Sequence, residues 1–322
     1  MTASPAQRLL QVPSIVNGIA IPLVLLTLLM SALSYLGRVH LFFELLSHFR
    51  FQYFLLSWVP FVLLALTREK PWIWVAFFVL GLNGVAIAPW YLPLPALAES
   101  GPPLRIMVSN VLGENDSYDS FYNLVETEQP DLLVVLELTD QWARELTDLE
   151  RILPYAVIEP RENNSGIALY SKLPLDDVAV PNWSASLGEL PSITAQIDWQ
   201  GKLVELVATH PAPPINPAYF EARNQHLDEM AFYARGLGRS TIVAGDLNTT
   251  MWSPFYQSLT RGAKLKNTRE GFGLQPTWPS NLPPLQIPID HILVSRDFTV
   301  LESRRGRSVG SDHYPLIADL AL

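Results

Sequence analysis

Three charge-free runs in the first 92 residues constrain this chain more than any other feature. Ile15–Leu36 is a 22-residue stretch without a charge, roughly 33 Å long as a helix, which matches a bilayer's hydrocarbon core. Phe51–Leu66 is a second, shorter run, and Trp72–Leu92 a third. Trp72, Trp74, Trp90 and Tyr91 stand near the ends of the third run, where aromatic rings favour the headgroup boundary. A cleaved signal peptide fits poorly, because the first run is too long and two more follow. Three crossings are expected, or two with the short run re-entrant or tilted, giving a multi-pass cell-membrane protein that contacts lipid through residues 1–92. Arg8, Arg68 and Lys70 would share one side and Arg38 and Arg50 the other. The positive-inside rule then places the N-terminus in the cytoplasm and the C-terminal region outside it.

Pro89, Pro93, Pro95, Pro102 and Pro103 crowd the next stretch, which cannot stay helical and reads as a stiff linker over residues 93–103. From residue 104 the pattern changes to short β-rich runs separated by helical ones. Strands are expected at 104–109, 131–136, 166–170, 193–198, 203–209, 241–244, 289–294 and 316–320. Helices are expected at 118–128, 141–149, 217–235 and 254–261. The fold class is therefore α/β over residues 104–322, a multi-layer sandwich of sheets flanked by helices.

Charge divides the chain in the same way. Of 22 Lys/Arg and 31 Asp/Glu, the first hundred residues hold five and three, which leaves 17 basic and 28 acidic side chains beyond them. A net charge of −11 there argues against a long nucleic-acid duplex, which is gripped through a basic face. The chain has no cysteine, so disulfides, thiolate metal sites and a cysteine nucleophile are excluded.

The chemistry is legible where polar residues interrupt apolar strands. LRIMVSN runs into Asn110, DLLVVLE ends on Glu137, and LVATHPAPP places His210 at a strand end. TIVAGDLN delivers Asp246 and Asn248 two residues apart, on one face of an extended segment. PIDHILVS embeds Asp290, and GSDHYPLIADL sets Asp312 and His313 before a strand. Singly, each has a plainer reading as a turn, cap or surface residue. Together they supply the donor set that phosphoester hydrolysis needs: carboxylate oxygens for Mg²⁺, an acceptor for the attacking water, and amide and imidazole donors for phosphate oxygens.

In this order, the motifs resemble the endonuclease/exonuclease/phosphatase superfamily, which includes pancreatic deoxyribonuclease, inositol polyphosphate 5-phosphatases and bacterial sphingomyelinases. AGDLN and GSDH, with a proline one residue on, carry the resemblance most specifically, and SGIALYSK adds to it. The resemblance implies a hydrolase dependent on Mg²⁺ or Mn²⁺, acting on a phosphate ester of nucleic acid, phospholipid or a small phosphodiester, without an obligate protein partner. It implies Glu137 as metal ligand, positioned by Asn110, which also meets the phosphate, and Asp312 as a second, variable ligand. It makes Asp246 the residue that aligns or activates water, Asn248 and His210 phosphate contacts, and Asp290–His313 the pair whose imidazole meets the scissile phosphate. Leu112 stands where abasic-site endonucleases carry an aspartate. A catalytically silent binding module that kept the fold would have lost Glu137, Asp246 or His313, and all three are present.

Overall fold

Alternation along the strands decides how the C-terminal region is layered. In β1 (Leu104–Asn110), Ile106 and Val108 point to one side and Met107 to the other. β2 (Leu132–Leu136) repeats this, with Leu132, Val134 and Leu136 opposed to Leu133 and Val135. Both faces are apolar, as buried sheets require. The computed structural model describes residues 5–93, 101–184 and 188–322, so residues 94–100 of the proline-rich 93–103 stretch lie outside the described residues. The chain forms two compact units, Met1–Pro89 and Trp90–Leu322.

The second unit holds two six-stranded mixed sheets, as the α/β sandwich reading expects. The remaining strands are β3 (Tyr155–Glu159), β4 (Ile167–Ser171), β5 (Asp176–Ala179), β6 (Ile193–Trp199), β7 (Lys202–Thr209), β8 (Ser240–Asp246), β9 (Leu265–Asn267), β10 (Asp290–Ser295), β11 (Thr299–Arg305) and β12 (Leu316–Ala321). One sheet runs β11-β12-β1-β2-β4-β3 and the other β5-β6-β7-β8-β10-β9. Each has one parallel pair near its centre, β1–β2 and β7–β8, and is otherwise antiparallel.

Ile106, Val134, Leu169, Leu206, Ala244 and Ile292 meet between the sheets in one dry core. Met107, Leu133, Val135 and Tyr170, on the outer face of the first sheet, pack with Phe121 and Leu124 of α5 (Tyr118–Glu128) and with Trp142 of α6 (Asp140–Glu145). Trp142 is fully buried, edge-on to Tyr118 and Phe121 with centroids 4.6 and 5.7 Å away. Such a ring contributes on the order of 3 kcal/mol relative to alanine. The second sheet carries α7 (Pro217–Leu237) and α8 (Pro254–Ala263). α7 starts with Asn216 capping the Tyr219 N–H and Pro217 in its first turn, and ends on the left-handed Gly238.

In the first unit, α1 (Pro5–Leu33), α3 (Arg50–Thr67) and α4 (Lys70–Ile87) are apolar, and a short α2 (Leu41–Ser47) follows the first. Three segments are long and apolar enough to cross a membrane: Pro13–Leu36, Arg50–Thr67 and Lys70–Trp90. Ala20, Val24, Leu64, Ala76 and Val79 form their core, where the two alanines allow close helix approach. Leu25, Leu29, Phe77, Phe78 and Val85 face outward, as a lipid-facing surface would require. Polar side chains pair between the helices: buried Asn83 Nδ2 donates to Ser31 Oγ at 2.9 Å, and half-buried Asn17 Nδ2 to Glu69 Oε1 at 2.8 Å.

Candidate functional site

Parallel strands end at the same edge, and in both sheets that edge carries the polar residues. Asn110 closes β1 and Glu137 follows β2; Asp246 closes β8 and His210 follows β7. β10 and β12 run antiparallel to β8 and β1, so it is their beginnings that reach this edge, bringing Asp290 and the Asp312–His313 segment. Four strand ends and two strand starts thus converge, although their residues span 110 to 313.

Two hydrogen-bonded groups result. Asn110 Nδ2 donates to Glu137 Oε1 at 2.9 Å and lies 3.4 Å from Asp246 Oδ2, so one amide joins both sheets. Glu137 is half-buried, adopts φ +58°, and takes a long contact from the Gly113 N–H at 3.5 Å. A left-handed glutamate is strained, at a cost of order 1–3 kcal/mol, and such strain gathers at functional positions. In the second group, His313 Nδ1 lies 2.9 Å from Asp290 Oδ2 and His313 Nε2 3.8 Å from Asp246 Oδ2. His210 Nε2 is 3.6 Å from the same Asp246 oxygen. The other Asp246 oxygen accepts the Asn248 N–H at 2.8 Å, a turn that holds Asn248 at φ +49°. The Asn248 amide in turn donates to the Pro211 carbonyl at 3.0 Å.

The electrostatics follow from this geometry. Burial works against charge on His313, but Asp290, with Asp246 and Asp312, outweighs it and pushes the imidazole up to about 10. Burial likewise opposes ionisation of Asp246, yet His210, His313 and the Asn248 N–H hold its carboxyl down at about 2. For His210, burial is overcome by Asp246, and the pKa rises. Near neutral pH the edge therefore holds an ionised Asp246 against an imidazolium.

Asp246, Asp290 and His313 each place a ligand-capable atom within 4.8 Å of the others. Chemistry argues against an ion among them, because an imidazole that is protonated and bonded to Asp290 has no lone pair to give a metal. Glu137 is the better position. Among the described residues no Lys or Arg pairs with it, and its oxygens, oriented by Asn110, suit a hard cation. Asp312 Oδ2 accepts the Trp278 indole N–H at 2.9 Å.

Several further residues shape the site, two of them, Gly245 and Ser311, inside AGDLN and GSDH. Ser311 Oγ donates to the Asn110 carbonyl and accepts the His313 N–H, tying the two groups together. Arg223 and His226, three apart on α7 and fully buried, brace the ends of β8 and β7. Arg223 Nη1 donates to the Asn248 carbonyl at 2.9 Å, and His226 Nε2 lies 2.7 Å from Thr209 Oγ1. The strand ends also need a glycine: a Cβ on Gly245 would sit 1.8 Å from the Thr209 carbonyl oxygen. The i, i+3 spacing of two polar residues inside an otherwise buried face was the one available signal for the α7 brace.

Known proteins share the sequence pattern and the fold. The sequence pattern of the Endonuclease/Exonuclease/phosphatase family matches residues 107–313. No curated protein matches the chain in sequence. Among solved structures, an endonuclease/exonuclease/phosphatase from Beutenbergia cavernae DSM 12333 is 21% identical, with a TM-score of 0.55 over 69% of this chain and 72% of that one. D. rerio TDP2 complexed with single strand DNA product is 14% identical, TM-score 0.58, over 68% and 99%. The human Nocturnin catalytic domain with bound sulfate anion is 18% identical, TM-score 0.57, over 70% and 96%.

Proposed function

The chain belongs to the endonuclease/exonuclease/phosphatase family, and from that premise we propose that it is a membrane-tethered, divalent-metal-dependent hydrolase of phosphoric esters, phosphodiesters above all. In this reading residues 1–92 anchor, 93–103 link and 104–322 catalyse, with the catalytic region outside the cytoplasm. The observation that carries it is the convergence of the Asn110–Glu137 pair with Asp246, Asp290 and His313 at one sheet edge. The single-strand DNA product on TDP2 and the sulfate, a tetrahedral oxyanion, on Nocturnin support the same substrate chemistry.

The reaction adds water across a P–O ester bond. Water oxygen bonds to phosphorus, the ester bond on the opposite side breaks, and the products are a phosphomonoester and an alcohol. Asp246 accepts a hydrogen bond from the water and aligns it for in-line attack. With its pKa far below neutral, it acts by orientation more than as a strong base. His313, cationic and held by Asp290, donates to a non-bridging oxygen where negative charge builds up. His210 and the Asn248 amide supply further donors. Mg²⁺ or Mn²⁺ held by Glu137 and Asn110, with the free oxygen of Asp312 as a variable ligand, would neutralise phosphate charge and stabilise the leaving oxygen. The test is turnover of bis(p-nitrophenyl) phosphate by the purified full chain in detergent. Activity that survives chelation, or no activity with either ion, refutes the proposal.

A further inference from the structure

Beside His313 lies a turn that this reaction does not use. The 19 residues from Gly271 to Ile289 carry no charge and include Phe272, Leu274, Trp278, Leu282, Leu285, Ile287 and Ile289. Within them residues 281–285, Asn-Leu-Pro-Pro-Leu, are exposed throughout. Leu282 and Leu285 show 47% and 46% of their surface to solvent around the 3-10 turn Pro283–Leu285.

The turn is fastened to the catalytic edge. The Ser280 N–H donates to the Asp312 carbonyl at 2.7 Å and Ser280 Oγ to the Ser311 carbonyl at 2.8 Å. The Tyr314 N–H donates to the Thr277 carbonyl at 2.9 Å. The apolar tip therefore stands on the same segment that bears His313.

We propose that this apolar turn rests in a phospholipid surface, and that the substrate of the site is the phosphodiester of a membrane-lipid headgroup. The inference rests on the hydrolase reading above. Three observations select this occupant over a nucleic acid. First, a groove for nucleic acid beside the scissile phosphate would offer Lys or Arg to neighbouring phosphates; this 19-residue stretch has none, and Arg305, which touches it, is engaged by the Pro276 carbonyl, Gln286 Oε1 and the Tyr314 ring, in a region with a net charge of −11. Second, Pro283 and Pro284 have no N–H, so the tip enters an apolar layer with two fewer donors left unpaired, while the Leu285 N–H is already bonded to the Leu282 carbonyl. Third, the same chain carries three helices apolar enough to cross a membrane. Thirteen residues, 91–103, connect the last of them to β1, and at full extension they reach roughly 45 Å. A site anchored as proposed works beside a bilayer.

The test compares the full-length chain with the Leu282→Ser/Leu285→Ser double variant. Three probes are used: mixed micelles of phosphatidylglycerol and phosphatidylcholine, soluble bis(p-nitrophenyl) phosphate, and a short single-stranded oligonucleotide. The expected result is lipid turnover by the wild type, reduced about tenfold or more in the variant through lost apolar contact. Hydrolysis of the soluble diester stays within about twofold, which also reports that the variant is folded. Equal losses on lipid and soluble diester, no loss on lipid, or preferred cleavage of the oligonucleotide would each overturn the proposal. A wild type that cleaves the soluble diester but no lipid overturns this inference alone. One that cleaves neither overturns the reaction beneath it.

Discussion

Asp246 and Asp290 are register partners on adjacent antiparallel strands, and His313 reaches both carboxylates, 2.9 Å from Asp290 and 3.8 Å from Asp246. Like charges directly opposite in a sheet repel. An imidazolium delivered from the other sheet converts that repulsion into a dyad that keeps both the acceptor and the cation ionised. Replacing His313 with alanine or Asp246 with asparagine is expected to lower kcat by several powers of ten, since in the proposed reaction both act where charge develops. Steady-state kinetics on a soluble diester read this directly, and a loss below tenfold in either variant would contradict both roles.

Asp290→Asn should move the alkaline side of the pH profile. Asp290 is the main favourable influence on a His313 pKa raised to about 10, so without it the imidazolium loses its proton at lower pH. The falling limb of kcat/KM then shifts toward neutral. An unmoved limb would show that His313 is not the titrating group.

Removal of divalent ions with a chelator should abolish turnover, and Mg²⁺ or Mn²⁺ should restore it. Glu137→Gln keeps the side-chain shape and the Asn110 contact while discarding the charge that suits a cation. The expected signature is a half-saturating Mg²⁺ concentration at least about tenfold higher. Metal titration of activity measures it.

Stability of the catalytic unit should fall on the acid side for a reason separate from catalysis. Burial pushes His226 and His291 down to about 3, against about 6.5 in an unfolded chain. Between those values the unfolded state takes up a proton that the folded state refuses. Each histidine then removes about 1.4 kcal/mol of stability per pH unit as pH drops below about 6.5, and nothing above it. His226→Gln should reduce the acid slope measured by denaturant melts between those limits, while lowering stability at neutral pH through its lost contacts to Ser184, Ser192 and Thr209.

Gly245→Ala tests the close approach of β7 and β8. With a Cβ only 1.8 Å from the Thr209 carbonyl oxygen, the strand ends carrying His210 and Asp246 must separate. A destabilisation of about 3 kcal/mol is expected, with kcat falling further than the unfolded fraction explains. A variant that keeps both stability and rate would mean that the spacing of these two strands is not constrained.

Most of the layered fold was readable from residues 104–322, because buried strands announce themselves through runs such as DLLVVLE and TIVAGDLN. The eight expected strands all occur. Four others escaped. β5 is short and fully exposed, β3 and β11 are largely exposed or half-buried, and β9 has three residues, so apolar periodicity had nothing to mark. The expected helix over 141–149 is α6 followed by a 3-10 turn at Thr147–Arg151. The candidate residues that gather at the sheet edge were legible because a charged or amide group at the end of an apolar strand is costly unless used. Arg223 and His226 were not, and Ser311 stood inside GSDH without a role, since what each does depends on which backbone carbonyl or hydroxyl the fold brings to it.

The amide of Asn110, stretched from a carboxylate of its own sheet to one in the other, makes the catalytic apparatus a gauge of how tightly the halves of the sandwich are pressed together. On the proposed function, a denaturant, a pressure step or a substitution deep between the sheets that widens the gap by about an ångström should lower turnover about a hundredfold while the strands are still intact. Loss of activity would then precede loss of circular dichroism, and the interval between them would measure how much slack the core allows.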